Sequence, residues 1–532
     1  MSRRTIRAAL SAAAAAVLVL IPAWVSAQSA EFWTAPLGVP APAFGVRETA
    51  PAVPSSWTRE TPGFYYVDNT AAASTDSVQY GTPGVPRKTI PTAIAAGSVV
   101  EVHGGPYSTS VNISVGGNGT VTAPIFYRGV GKPRIVGTVN NRNIALIGSY
   151  VVLEGFIIEN LQVAPVGHHQ SVRDNEIRGM TPAPGGSAVY LGAHTDIVVL
   201  RNLIHNNGDP NYPVENDIHG VLVGTGAERA WIMDNEMYSN GGDSVQINSG
   251  TGTLARLIYI ARNRMHGEGE NAVDIKTAQD VVVSQNRCWG FRPTTYAYSG
   301  SDGTAIVVND DNARTGVNNR IFILFNEISD STVGVRTQWY AILVGNVIRN
   351  IQNAGVLTFG AHDVHIEHNT FYDVARAVER SGGDVGNKIV YINNVVYART
   401  ADDMKVTGNA TNGSTVANSV FASPARISWA GVMYTGIASF AAARGCSGCV
   451  EGDPSFLNVG AADFRPRPGS PLIGNAAPSA LYSAYQQTYG VSIAYDALGR
   501  SRPGPDGRWD VGALEGDGVN PPAAPANVRI IR

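Results

Sequence analysis

The sequence predicts an all-β protein, a right-handed parallel β-helix: a solenoid closed by N-terminal and C-terminal caps. Two observations predict it. An apolar run, an asparagine, any residue and an apolar residue recur nine times, at Asn175, Asn202, Asn235, Asn263, Asn286, Asn326, Asn346, Asn369 and Asn394. The gaps of 20 to 40 residues are a solenoid period with loops of variable length. Composition agrees: 59 glycines in 532 residues and 15% charged residues suit a turn-rich β protein and not a disordered chain.

The elements follow in chain order. Residues 1–27 read as a signal peptide: Arg3, Arg4 and Arg7 precede an apolar stretch, and Val25-Ser26-Ala27 is a cleavage-site pattern. Ser2-Arg3-Arg4 also fits a twin-arginine leader, so export by either route is open and the mature protein is expected to be secreted or periplasmic. Residues 28–62, rich in Pro, Ala and Ser, read as a linker or N-terminal extension. Phe64-Tyr65-Tyr66-Val67-Asp68 opens the β-helix, which is expected over 63–440. Beyond about 440 the rhythm stops. A solenoid must cover its last strands, so 441–515 reads as a C-terminal cap and 516–532 as a tail.

Net charge is −3, which gives no field for nucleic acid. No stretch after the leader is apolar and long enough to span a bilayer. The expected state is a monomer. Cys288 falls in the apolar column behind the asparagines and should be a small core residue. Cys446 and Cys449 read as a local disulfide rather than a metal site, because a single pair lacks the four ligands of structural zinc.

Each coil should carry a second strand, at 188–192, 220–224, 244–248, 272–276, 305–309, 334–338, 355–359 and 377–381. Apolar residues fill the second and fourth places and should point inward, so the others face out. In the middle coils those outward places are polar. One column runs Gln246, Asp274, Val307, Arg336, and the next runs Asn248, Lys276, Asn309, Gln338. His219, Asp243 and Asn271 stand just before the strand. Long loops flank the same coils, and one carries Tyr296 and Tyr298, whose rings could stack on sugar faces. Plainer readings stand beside these. Asp274 and Lys276 also fit an ordinary exposed ion pair, and the amides a stacked ladder.

The asparagine corners, the caps and Glu270-Asn271-Ala272-Val273-Asp274-Ile275-Lys276 resemble the pectate-lyase-like right-handed β-helix superfamily. That resemblance implies an exported polysaccharide lyase that cleaves an acidic, uronate-containing glycan by β-elimination. It implies Lys276 as the base, Arg336 or a calcium ion as neutraliser of the substrate carboxylate, and His219 as a further catalytic candidate. Asp243, Asn271 and Asp274 become candidate Ca²⁺ ligands, and Gln246, Asn248, Tyr296, Tyr298, Asn309 and Gln338 candidate substrate contacts. The chemistry is consistent with these types. A base for a carbon acid must be free of its proton near working pH, and burial or a neighbouring cation lowers a lysine's pKa; Ca²⁺ takes oxygen ligands. A glycoside hydrolase of the same fold using aspartates is the alternative, and a non-catalytic glycan-binding or surface β-helix is the third class.

Overall fold

The computed structural model describes residues 33–182, 185–211, 216–293, 301–309, 320–359, 362–381, 388–407 and 413–516. The expected leader and nearly all of the expected tail lie outside the described residues, as do Tyr296 and Tyr298. The chain folds as a right-handed parallel β-helix. Each middle coil contributes three strands, and each strand pairs in parallel with its counterpart one coil on.

Three faces result. A site sheet contains Gly186–Leu191, Ile218–Val223, Val245–Asn248, the start of Val273–Ser284 and Thr304–Val308. A flank sheet contains Thr195–Leu200, Glu228–Met233, Ala255–Ala261 and Ile321–Leu324. A corner sheet of short strands follows the asparagines: Glu176–Arg178, Leu203–His205, Glu236–Tyr238, Arg264–His266 and Arg287–Trp289. Their central residues, Ile177, Ile204, Met237, Met265 and Cys288, are buried in the interior stack.

The nine asparagines form one buried ladder between the flank and corner sheets. From Asn202 onward, each Oδ1 accepts the backbone N–H and the Nδ2–H of the asparagine one coil before it, as Asn263 does from Asn235 at 3.0 and 3.0 Å. Each Nδ2 also donates to a backbone carbonyl of the preceding coil, as Asn263 does to Ile232 at 2.8 Å. The ladder ends where Asn394 donates to Ser419 Oγ. The left-handed residue at this corner is the one before each asparagine: Asp174, Arg201, Asp234, Arg262, Gln285, Phe325, Gly345, His368 and Asn393 all have φ between 52° and 69°. The asparagine therefore serves as a side-chain clip, not as the residue that makes the bend.

Within the segment expected as a linker, residues 33–50 pack on the solenoid. Trp33, Val39 and Val46 are buried against Val198, Trp231, Tyr259 and Leu324 on the outside of the flank sheet. Trp231 Nε1 donates to Pro40 O at 2.7 Å, and Ser284 Oγ to Leu37 O at 2.6 Å. The physical reason lies on the sheet: its outward column is aromatic and aliphatic and needs cover. The C-terminal region also divides. The last coil is closed by an antiparallel pair, Arg426–Trp429 with Val432–Thr435, and by helix α1, Ile437–Arg444, whose Phe440 packs on Trp429. Residues 456–514 instead run back along the outside, covering Val395 and Val420, and helix α2, Ala480–Tyr489, joins the N-terminal strap over the flank. The cap thus begins before residue 441. Cys446 and Cys449 are joined in a disulfide. No helix of the described residues is long and apolar enough to cross a membrane.

Two measurements check this account. Asn263→Ala leaves the Asn235 donors without their acceptor in a dry interior, so the urea midpoint should fall by the equivalent of roughly 2–4 kcal/mol. An unchanged midpoint would remove the ladder as a stabilising element. His368 is fully buried, with Nδ1 2.9 Å from the Tyr482 hydroxyl, and burial and then Arg502 hold its pKa well below the ordinary 6.5. Below pH 6.5 the unfolded chain takes up a proton that the folded chain refuses, so His368 should erode stability as pH falls from its unfolded toward its folded pKa. His368→Gln should flatten that part of the melting-temperature profile.

Candidate active site

The site sheet is the face on which the outward residues turn polar. Backbone pairing sets Leu222, Gln246, Asp274, Val307 and Arg336 in one outward column, as the alternation predicts. The neighbouring column is not uniform. The register shifts after Ile247, so Asn248 pairs with Thr277 and Lys276 is the extra residue of a bulge. A bulge re-aims a side chain out of the pleat. Lys276 is 33% exposed, whereas Asp274 beside it is 7% exposed.

Below the bulge the acidic groups are held in order. His219 is buried; its Nδ1 accepts the Asp243 N–H at 3.0 Å and lies 3.3 Å from Asp243 Oδ2, while Nε2 is 4.0 Å from Asp217 Oδ1. The ring fits because residue 242 is glycine; a Cβ there would lie 2.5 Å from Nδ1. Asp243 Oδ1 accepts the Asn271 N–H at 3.0 Å, and Oδ2 accepts Gln246 Nε2 at 3.2 Å. Asp274 Oδ1 accepts Asn309 Nδ2 at 3.0 Å, and its Oδ2 lies 3.6 Å from Lys276 Nζ. Glu268 accepts from Ser244 Oγ and from both nitrogens of Asn240, the end of a second, shorter asparagine ladder through Asn207. Asp217, His219 and Glu270 bring one ligand atom each within 4.8 Å of one another, which makes them the group of the described residues that could hold a metal ion.

Electrostatics follow from crowding in a dry place. Burial first, then neighbouring carboxylates, raises Asp243 well above the carboxylate range and Glu270 to about 10. Burial also raises Asp274, against the pull of Lys276, and Glu268 to about 8. Lys276 corrects the expectation of a lowered pKa. Burial does pull it down, but Asp274, Asp243, Asp217 and Glu270 together outweigh burial and hold it above its ordinary value.

Of the predicted residues, His219, Asp243, Gln246, Asn271, Asp274, Lys276 and Asn309 are brought together. Several also hold the scaffold together. Gln246, read as a substrate contact, is buried and braces Asp243. Asn248 Oδ1 accepts the Gly250 N–H at 3.0 Å and shapes a turn. Asn271, read as a ligand, donates its amide to Thr304 O at 2.7 Å and ties two coils. Arg336 already has a carboxylate, Asp302, at 2.7 Å, and Gln338 stands next to Asn309, partly exposed. Asp217 and Glu270 were missed as ligands, although Glu270 belongs to the segment that carries the resemblance. The signal was Gly241-Gly242, two residues without side chains facing Gly269-Glu270 one coil on.

No family model matches the sequence, and no curated protein matches it. Solved structures similar to it include pectate, alginate and rhamnogalacturonan lyases. Pectate lyase Pel9A is 14% identical with a TM-score of 0.43, over 86% of this chain and 98% of that one. The PL6-family alginate lyase AlyGC is 14% identical with a TM-score of 0.46, over 72% of this chain and about half, 54%, of that one. The Streptococcus pneumoniae surface protein and adhesin PfbA is 14% identical with a TM-score of 0.39, over 62% of this chain and 91% of that one. The likeness is one of fold and decides nothing about the reaction.

The raised carboxyls have a direct readout. Glu268 and Glu270 should be protonated at pH 7 in metal-free protein, each giving a carboxylic C=O stretch in the infrared that its Gln variant lacks. Because the folded-state values, about 8 and about 10, exceed the ordinary 4.5, the folded protein holds protons that the unfolded chain has lost. Their contribution to stability should therefore be full below pH 4.5 and disappear as pH rises through those values. Glu270→Gln should reduce that slope; bands absent at pH 7 would show the carboxyls ionised.

Proposed function

We propose that this protein is a polysaccharide lyase that cleaves an acidic, uronate-containing glycan by β-elimination, with Lys276 as the base. The observation that supports it best is the placement of Lys276: a partly exposed cation that a bulge lifts out of a cluster of buried carboxylates. Its Nζ would take the proton on the carbon beside the substrate carboxylate. The C–H electron pair becomes the new C=C bond as the adjacent C–O glycosidic bond breaks, and water supplies the proton to the leaving oxygen.

The carboxylates set the condition for this. Asp217, Asp243, Glu270 and Asp274 would repel a uronate to the extent that they ionise, and together they raise Lys276 above its ordinary value. The oxygens of Asp217 and Glu270 fit Ca²⁺, while the nitrogen of His219 suits it less. Bound there, the ion would neutralise the substrate carboxylate. With Asp217 and Glu270 so engaged, less negative charge faces Lys276, and its ammonium gives up its proton more readily. His219, buried and accepting from the Asp243 backbone, orients the cluster. Under this reading the leader-like N-terminus exports a monomer that meets its glycan outside the cytoplasm.

One observation favours a second reading. A carboxyl that burial keeps protonated at neutral pH, as at Glu270, is the kind of group a glycoside hydrolase uses as general acid. Products separate the two, since elimination creates a double bond that absorbs in the ultraviolet and hydrolysis creates only new reducing ends.

A panel of pectate, alginate and glycosaminoglycans, with and without a chelator, gives the test. Turnover should yield ultraviolet-absorbing products and fall with chelator. Lys276→Ala should lose at least about a thousandfold in kcat while folding and glycan binding persist. Near-wild-type kcat in that variant removes Lys276 as base. Reducing ends without absorbance replace the lyase with the hydrolase, and binding without either product leaves a glycan-binding solenoid.

A further inference from the structure

The outward column that reaches the carboxylate cluster begins earlier, at a tyrosine. Pairing runs Tyr190–Leu222–Gln246–Asp274 without interruption. Tyr190 therefore stands two coils from Gln246 and three from Asp274, roughly 10 Å and 14 Å along the solenoid at about 4.8 Å per coil. It is partly exposed, while Val189 and Leu191 on either side of it are buried.

The ring lies down on the sheet. A Cβ built on Gly224 would sit 2.8 Å from the Tyr190 hydroxyl and 3.1 Å from Cε2, and one on Gly192 would sit 3.3 Å from Cε1. Neither glycine is among those with positive φ, so the backbone demands glycine at neither place. The demand comes from the ring, which needs both positions bare to rest against the main chain. Leu222, partly exposed, continues the strip toward Gln246, so between the tyrosine and the cluster the column is apolar and uncharged.

We propose that Tyr190, seated on Gly192 and Gly224, is a sugar-stacking subsite that holds the acidic glycan two to three sugar units from the one at Lys276. This rests on the glycan reading above and adds to it the direction of the chain, along the solenoid axis across the site sheet. The repeat of an extended polysaccharide is close to the coil spacing, so successive sugars keep step with successive coils. A pyranose ring has an apolar C–H face and a wet hydroxyl rim, and it pairs with a partly exposed aromatic face whose orientation is fixed. The absence of charge at Tyr190 and Leu222 means this subsite grips the ring, and the uronate carboxylates are read elsewhere.

The test uses oligogalacturonate and oligomannuronate series, from disaccharide to hexasaccharide, on full-length protein, with binding by calorimetry and turnover read separately. Affinity for at least one series should step up once the oligomer is long enough to reach Tyr190. Tyr190→Ala should lose that step, about tenfold, and leave the shortest ligand that binds unaffected. Tyr190→Phe should keep it. Gly224→Ala should lose it with the tyrosine still present, because the added methyl lifts the ring. A step that survives Tyr190→Ala, or a loss equal at all lengths, overturns the subsite whether or not elimination occurs. A step that depends on Tyr190 in a protein giving no unsaturated product upholds the subsite and removes the lyase reading. If no oligomer of either series binds, the subsite is overturned.

Discussion

The asparagine ladder is the interaction on which the rest depends. At eight of the nine turns from flank sheet to corner sheet, a residue other than glycine sits at φ above 50°, a conformation that costs L-residues free energy. Repeated coil after coil, that cost would open the solenoid. Each asparagine offsets it by accepting two N–H donors from one neighbour and returning Nδ2 bonds to another. Because the bonds run along the axis, the ladder also fixes how coils stack. Columns of side chains on the other faces inherit that register, including the one that lines the candidate site.

The sheets then diverge by what they face. The flank column runs Val198, Trp231, Tyr259, Val282 and Phe322, and segments from both sides of the solenoid in sequence cover it. The site column turns polar at Gln246 and Asp274, and beside it a bulge lifts Lys276 toward solvent. Between the corner and site sheets, Ser244, Glu268 and Asn240 form a buried polar seam that anchors the segment carrying Asp243. A cluster of carboxylates in a dry setting stays assembled because its members are individually clamped: His219 by the Asp243 backbone, Asp243 by Asn271 and Gln246, Asp274 by Asn309.

The fold was legible in the sequence because its period is written in residues with one physical job. Asn-x-apolar names a buried clip and the core residue that follows it, and strict alternation then assigns every outward column. Register arithmetic failed at a single place, Asn248 against Lys276, because a bulge adds a residue with no mark in composition. The site was legible as a region and less so by role. Gln246 and Asn271 look the same in sequence whether they meet a ligand or brace a coil. Asp217 and Glu270 gained meaning only when three neighbouring coils were seen together. Trp33 and Val39 were hidden by a proline-rich surrounding that normally marks slack chain, since the sheet they cover lies some two hundred residues away.

The Tyr485 hydroxyl reaches the Gly38 carbonyl, so the two ends of the described chain meet over the flank. During synthesis, coils can wind in order as they emerge, each templated by the last. Their flank cannot be sealed in that order. Until the segment around Tyr482 and Tyr485 has been made, a stripe of aromatic and aliphatic side chains stays half covered by the strap alone. The late-made segment is thus the clasp of the molecule, and a ribosome stalled before it would leave a solenoid already wound and still sticky along one side.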